Sequence, residues 1–208
     1  MHRWLSAPHV RTCWRDALSL EEVERKYGPR IDGTGPIRCF VIQVEGDPIG
    51  MIQGYRHADL PDGDRVGGIG VPAAAGIDCL IGDAARCGRQ IGSRVISAFS
   101  ALLFRLHPDV SAIVATPQKD NTASCRALEK AGFTLSHDAV LDSGDPSDSG
   151  VSVVYALPRP ASARPGISGS SRSALVGNER GPVSDVSDTG PDLRLFRVGT
   201  TGFEPATP

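Results

Sequence analysis

The chain has 208 residues and a formal net charge of −2. That length holds one large domain or a domain with a tail, and that charge gives no electrostatic case for nucleic acid or a membrane surface. The five cysteines (Cys13, Cys39, Cys79, Cys87 and Cys125) are scattered and odd in number, which argues against a disulfide framework or zinc site and fits reduced thiols in a cytoplasm. Apolar runs stop well short of the ~20 residues of a membrane span, and Met1-His2-Arg3-Trp4 is followed by no signal-type apolar region.

In chain order, Ser19-Leu20-Glu21-Glu22 is a capping box, with Leu20, Val23 and Tyr27 recurring at helical spacing. Gly28-Pro29 is expected to close that helix. Ile37 to Val44 and Pro48 to Tyr55 are β-rich runs joined by the turn residues Glu45-Gly46-Asp47. Ala58 to Ala74 reads as a Gly/Asp/Pro loop, and Ala75 to Gly82 as a third strand.

After a break at Asp83-Ala84-Ala85, Ile91, Val95, Ile96, Phe99, Leu102, Leu103 and Leu106 line one helical face. Val110 to Thr116 reads as a buried strand, and Asn121 to Ala131 as a helix stopped by Gly132. Phe133 to Leu141 and Val151 to Leu157 form a last strand pair. The order is that of an α/β (α+β) fold with a mixed, partly antiparallel sheet. Composition changes at Pro158. From there to Pro208 the chain is dense in Gly, Pro and Ser, so disorder is the expectation, with only Leu193 to Val198 able to form anything regular.

The first chemical signal is Arg86-Cys87-Gly88-Arg89-Gln90-Ile91-Gly92-Ser93, between a strand and the strongest helix. Such a loop aims backbone N–H groups and the positive end of the helix dipole at one point, a setting for a pyrophosphate. Gly92 permits close backbone approach and Arg89 adds charge. Neither a Walker loop nor Gly-x-Gly-x-x-Gly is present. Taken alone, two glycines before a helix also fit an ordinary turn.

This segment resembles motif A of the GNAT acyltransferase superfamily, Gln/Arg-x-x-Gly-x-Gly/Ala. Cys87 stands at the first position, Gln90 at the first glycine and Gly92 at the second, so two of the three positions depart. The resemblance extends, in order, through Pro8-His9-Val10 with Trp14, the Pro48-Ile49-Gly50 hairpin, Gly76-Ile77-Asp78, and Asn121 to Glu129-Lys130-Ala131-Gly132-Phe133. It spans roughly residues 4 to 157 and is similar to the branch containing aminoglycoside 6'-N-acetyltransferases. It implies a 1–157 acyltransferase domain whose mostly antiparallel sheet has a splayed parallel strand pair and helices on both faces, followed by a 158–208 tail.

The resemblance also implies acetyl-CoA as co-substrate, no metal, a small-molecule amine as acceptor, no nucleic-acid or membrane partner, and a monomer or homodimer in the cytoplasm. The pantetheine arm would lie between the strands holding Cys79-Leu80-Ile81 and Ile113-Val114-Ala115. Coenzyme contacts fall on Leu80, Ile81, Cys87, Gly88, Arg89, Gln90, Ile91, Gly92, Ser93 and Asn121. Asparagine at 121 equally suits a helix N-cap. Trp14, Tyr55, Asp78 and Thr116 fall on the acceptor side.

Asp78 is read first as a group that orients the amine, and as a base only through a water or with a pKa raised by burial; a strand-end aspartate capping a turn is the plain alternative. The superfamily's thiol-protonating tyrosine is replaced by Leu128, with Cys125 one turn earlier as a substitute donor or a small buried apolar group. Asp59, Asp62 and Asp64 offer negative charge for a polycationic acceptor. A module that binds acyl-CoA or a partner without turnover is the second reading.

Superfamily members open with a strand before the first helix, and here Met1 already falls within that helix. The expectation is a start placed too far downstream, leaving an unpaired hairpin edge. Gly202-Phe203-Glu204-Pro205 matches one reading frame through the T-arm of a transfer-RNA gene, so the tail is expected to be readthrough sequence; a regulatory tail is the alternative.

Overall fold

A computed structural model describes residues 1–15, 18–60, 73–141, 145–161, 184–186 and 192–197. Two short helices, α1 (His2–Leu5) and α2 (Pro8–Arg11), precede α3 (Leu20–Asp32). The capping box forms as its residues dictate: Ser19 Oγ accepts from the Glu22 N–H at 3.2 Å, and the Glu22 carboxylate accepts from the Ser19 N–H at 2.7 Å. The helix does not stop at Gly28-Pro29. It continues through Pro29 to Gly33, whose φ of 70° terminates it in the left-handed region. The extra turn places Arg30 against the sheet.

The sheet has eight strands in the order β5-β6-β4-β3-β2-β1-β8-β7. Its members are β1 (Arg38–Val44), β2 (Asp47–Arg56), β3 (Ala74–Ile81), β4 (Ala112–Ala115), β5 (Thr134–Val140), β6 (Val151–Pro158), β7 (Ser184–Val186) and β8 (Leu193–Arg197). The β1–β2 turn carries Glu45 and Gly46 at φ 55° and 88°, the twist that a tight hairpin favours. Only β3 and β4 pair in parallel; the other ladders among the described strands are antiparallel.

Helices cover both faces. On one, Trp4, Leu5, Val10, Val23 and Tyr27 pack on Cys39, Met51 and Leu80. On the other, α4 (Ile91–Leu106) and α5 (Thr122–Lys130) bury Ile91, Val95, Phe99, Leu103 and Leu128 against Phe40, Ile42, Ile52, Ile77 and Ile113. Leu106 departs from the expected apolar face: it is 54% exposed because it falls on the last turn, beyond the sheet. The hairpin edge is not unpaired. β8, from the stretch Leu193 to Val198 singled out in the tail, pairs with β1 antiparallel from Phe40↔Arg197 to Val44↔Leu193. Much of the tail beyond β7 and β8, including Gly202 to Pro205, lies outside the described residues, as do Asp62 and Asp64.

Candidate active site

β3 and β4 are paired only at Ala74↔Ala112, Ala75↔Ile113 and Gly76↔Val114. Past Gly76, β3 runs on to Ile81 along β2, whereas Ala115 pairs with Tyr155 of β6. The parallel pair therefore splays, and the backbone from Ile77 onward turns one edge to a gap, the opening a thin thioester arm needs. Ile113 and Val114 lie before the splay, so only Ala115 and the residues after it face this gap.

At the mouth of the gap, Ala84–Arg86 form one 3-10 turn, capped by Asp83, whose Oδ1 accepts from the Ala85 N–H at 2.9 Å. Cys87, Gly88, Arg89 and Gln90 are all exposed. Gly88 has φ 73° and Gln90 φ 61°. The helix-opening residue is thus held in a left-handed conformation that a glycine adopts freely and a glutamine at a cost of roughly 1–2 kcal/mol. This is the physical reason for glycine at that motif position, and Gln90 pays it here. Behind it, Ser93 Oγ donates to the Gln90 carbonyl at 2.9 Å, and a Cβ on Gly92 would meet nothing closer than Ala127 at 3.8 Å. The first-turn N–H groups of the 16-residue α4 point out of this loop. Arg86 reaches away instead, to Glu45 and Asp47 at 3.4 and 3.5 Å.

Leu80 and Ile81 are differently engaged. The Leu80 side chain is 6% exposed in the core under the N-terminal helices, so it is closed to a ligand. The Ile81 carbonyl lies 2.9 Å from His9 Nε2. Asn121 is the N-cap of α5, its Oδ1 accepting from the Ser124 N–H at 3.1 Å.

On the same face of β3 as Leu80, under α3, Asp78 sits directly across from Gln53 of β2. Gln53, only 4% exposed, donates from Nε2 to Asp78 Oδ2 at 2.8 Å and accepts at Oε1 from Arg30 at 2.9 Å and from the Cys39 thiol at 3.4 Å. Arg30 lies over the Tyr27 ring at 4.9 Å, and the Tyr27 hydroxyl accepts from Trp14 Nε1 at 3.2 Å. The Asp78 side chain retains some surface, yet surrounding protein withdraws it from water and pushes its pKa above the usual carboxylate range; the Gln53 hydrogen bond and the Arg30 charge oppose that rise. Burial, then the Asp78 charge, push the Cys79 thiol up to about 12.

Tyr55 stacks on His57 at 5.8 Å, and its ring fills the space where a Cβ on Gly76 would stand, 2.4 Å away. Gly76 in Gly76-Ile77-Asp78 is therefore the seat of Tyr55. Thr116 is half-buried just after β4. Asp59 is tied to Arg56 at 3.6 Å. Leu128 is 3% exposed within the core and presents no proton. Half-buried Cys125 lies close enough to the Tyr155 hydroxyl for that group to lower its thiol pKa, though burial raises it more; Tyr155 itself donates to Glu129 at 2.8 Å.

Arg30 and Gln53 were not anticipated from sequence. The one available signal was a glutamine inside the apolar run Ile49-Gly50-Met51-Ile52-Gln53. A separate open cleft of about 420 Å³, lined by Arg15, Gln118, Lys119, Asp120 and Ser149 among others, includes none of the expected site residues. Among the described residues there is no His/Cys/Asp/Glu cluster able to hold a metal.

A splayed parallel pair, a helix-dipole loop at its mouth and a withdrawn carboxylate beside it define a transferase of the acyl-CoA-dependent class. The chain belongs to the GNAT acetyltransferase family: the family model described as acetyltransferase (GNAT) domain matches residues 1–141. It is 29% identical over 139 residues to the aminoglycoside N(6')-acetyltransferase type 1 of Klebsiella pneumoniae, covering 64% of this chain and 67% of that protein. It is 36% identical over 62 residues to a kanamycin resistance protein of Rhizobium radiobacter, 30% of this chain and 56% of that one. The crystal structure of the aminoglycoside acetyltransferase AAC(6')-Ib with coenzyme A and kanamycin superposes with a TM-score of 0.65 at 26% identity, covering 76% of this chain and 87% of that one.

Proposed function

We propose that this acetyl-CoA-dependent N-acetyltransferase acts on a primary amine of an aminoglycoside-type small molecule and that Asp78 receives that amine. The observation that carries the reading is Asp78 beside the β3/β4 gap, with its carboxyl raised in pKa and gripped by Gln53. The likeness to aminoglycoside acetyltransferases supports it.

The reaction forms one C–N bond and breaks one C–S bond. An alkylammonium of pKa ~10 carries a deficit of ~3 units at pH 7, roughly 4 kcal/mol, before its nitrogen can attack. An ionised Asp78 orients the ammonium; its raised pKa brings it closer to accepting the proton, directly or through a water. The amine nitrogen attacks the thioester carbon, the developing oxyanion is met by backbone N–H groups of the β3 edge, worth roughly 3 kcal/mol for a well-aimed donor, and the thiolate departs. With Leu128 in the family's tyrosine position, that thiolate takes its proton from solvent. In this reading Leu80 and Ile81 serve the arm through backbone, and the loop from Cys87 to Ser93 serves the diphosphate. Asn121 caps its helix whether or not it also touches coenzyme.

Arg30 adds a positive charge next to Asp78, and Thr116 adds no negative one. The pocket therefore compensates polycations weakly and favours acceptors carrying few charges. The five unpaired thiols support a reducing, cytoplasmic setting. The test is thermal-shift titration with acetyl-CoA, followed by free-thiol release with an amine panel. No shift with acetyl-CoA would refute the coenzyme site; a shift without amine-dependent release would leave a binding module.

A further inference from the structure

The outer neighbour of β1 comes from far along the chain: β8, flanked on its other side by β7, is separated from the end of β6 by residues 159–192. Its fit is residue-specific. Leu193 and Leu195, 1% and 0% exposed, enter the main core beside Val44 and Ile42, which are themselves fully buried. Arg194 alternates outward and is bound to Asp192 at 3.0 Å. Phe196 is half-buried opposite Val41 on the other face. The Glu45 N–H donates to the Asp192 carbonyl at 2.9 Å, fastening the strand where the β1–β2 turn begins. Main-chain ladder and alternate side-chain seats are the two components of strand addition to a sheet edge.

We propose that the outer edge of β1 is a strand-docking groove whose occupant is the chain's own segment 192–197. This separable strand, rather than residues 1–161 alone, completes the catalytic core. Removing it would expose Ile42 and Val44 together with a row of unpaired backbone groups, a site for association with other chains. The covalent tether favours the segment of the same copy over that of a second copy at micromolar protein, because tethering sets effective concentrations near millimolar. The proposal is independent of the acceptor and of turnover.

The experiment uses the full chain with a protease site introduced between residues 165 and 180 and cut after folding. The expected result is that the C-terminal fragment co-elutes with the domain at monomer mass, and that Leu195→Asp releases it and lowers Tm by roughly 10 °C or more. Arg194→Ala should retain it. Should Leu195→Asp give no soluble protein, Leu195→Ala reads the same loss in part. Native-state hydrogen exchange on uncut chains adds a second readout: β1 amides should lose at least ~10-fold protection in the Leu195 variant while β4 and β6 keep theirs. Free release of the wild-type fragment, or unchanged β1 protection in the variant, overturns the proposal. Co-elution at dimer mass assigns the strand to a second copy and overturns docking within one chain.

Discussion

Gln53 and Asp78 face each other across the β2–β3 ladder, and the buried amide holds the carboxylate at 2.8 Å. Because Arg30 binds the other end of the same amide, a guanidinium and a carboxylate are coupled through a single side chain.

Asp78 is an acid whose folded pKa is raised, so the native state binds more protons than the unfolded chain between the unfolded value and the folded one. Stability therefore falls as pH rises through that window. Asp78→Asn, which still accepts from Gln53, should raise Tm above the window, and the gain should vanish below about pH 4. The same variant should lose ~10² or more in kcat/KM. Thermal melts at pH 4 and 8 with parallel kinetics check both.

Gln90→Gly places the residue of lowest cost at φ 61°. Relief of left-handed strain, less the entropy glycine adds to the unfolded chain, should leave a gain of up to ~1 kcal/mol, or ~2–4 °C in Tm. Acetyl-CoA should also bind more tightly, since a side chain is removed from the proposed phosphate approach. A lowered Tm together with weaker coenzyme binding would contradict this account of the loop.

Thiol labelling distinguishes the cysteines. Burial pushes Cys39 and Cys79 up to about 12, so neither should react at pH 8. Exposed Cys87, in the loop proposed to hold the coenzyme, should label first among the three and be protected by acetyl-CoA. Mass spectrometry with and without coenzyme reads the outcome. Equal labelling of Cys87 in both would place the coenzyme elsewhere.

Arg30→Ala removes a charge lying, through the length of the Gln53 amide, within roughly 8 Å of Asp78. At an effective dielectric near 20 that is ~2 kcal/mol before solvent screening. The variant should improve kcat/KM for tetra-amino acceptors over monoamines by ~3–10-fold. An unchanged ratio would mean that Arg30 does not set acceptor charge.

The order of elements and the buried face of α4 were legible because apolar spacing records burial directly: Ile91, Val95 and Phe99 lie where their periodicity put them. Pro29 misled, since a proline reads as a stop, although the residues beyond it are held by Arg30 on Gln53 and by Gly33. The Arg30–Gln53–Asp78 chain was invisible for a different reason. Its members are far apart in sequence, and only register brings them together. Gln90 was legible as a departure, yet its meaning needed a backbone angle. The docked segment was visible as a β-rich patch, but nothing local to it specifies the edge it meets.

The turn at Glu45-Gly46-Asp47 is gripped from two sides, by Asp192 of the tail at the Glu45 N–H and by Arg86 of the loop before α4 at both carboxylates. Force applied at the C terminus would unzip β8 from Arg197 backward and reach this knuckle last. A tether there would thus load the same turn that steadies Arg86, so an immobilised or tagged protein can report altered coenzyme affinity with no change at the gap itself.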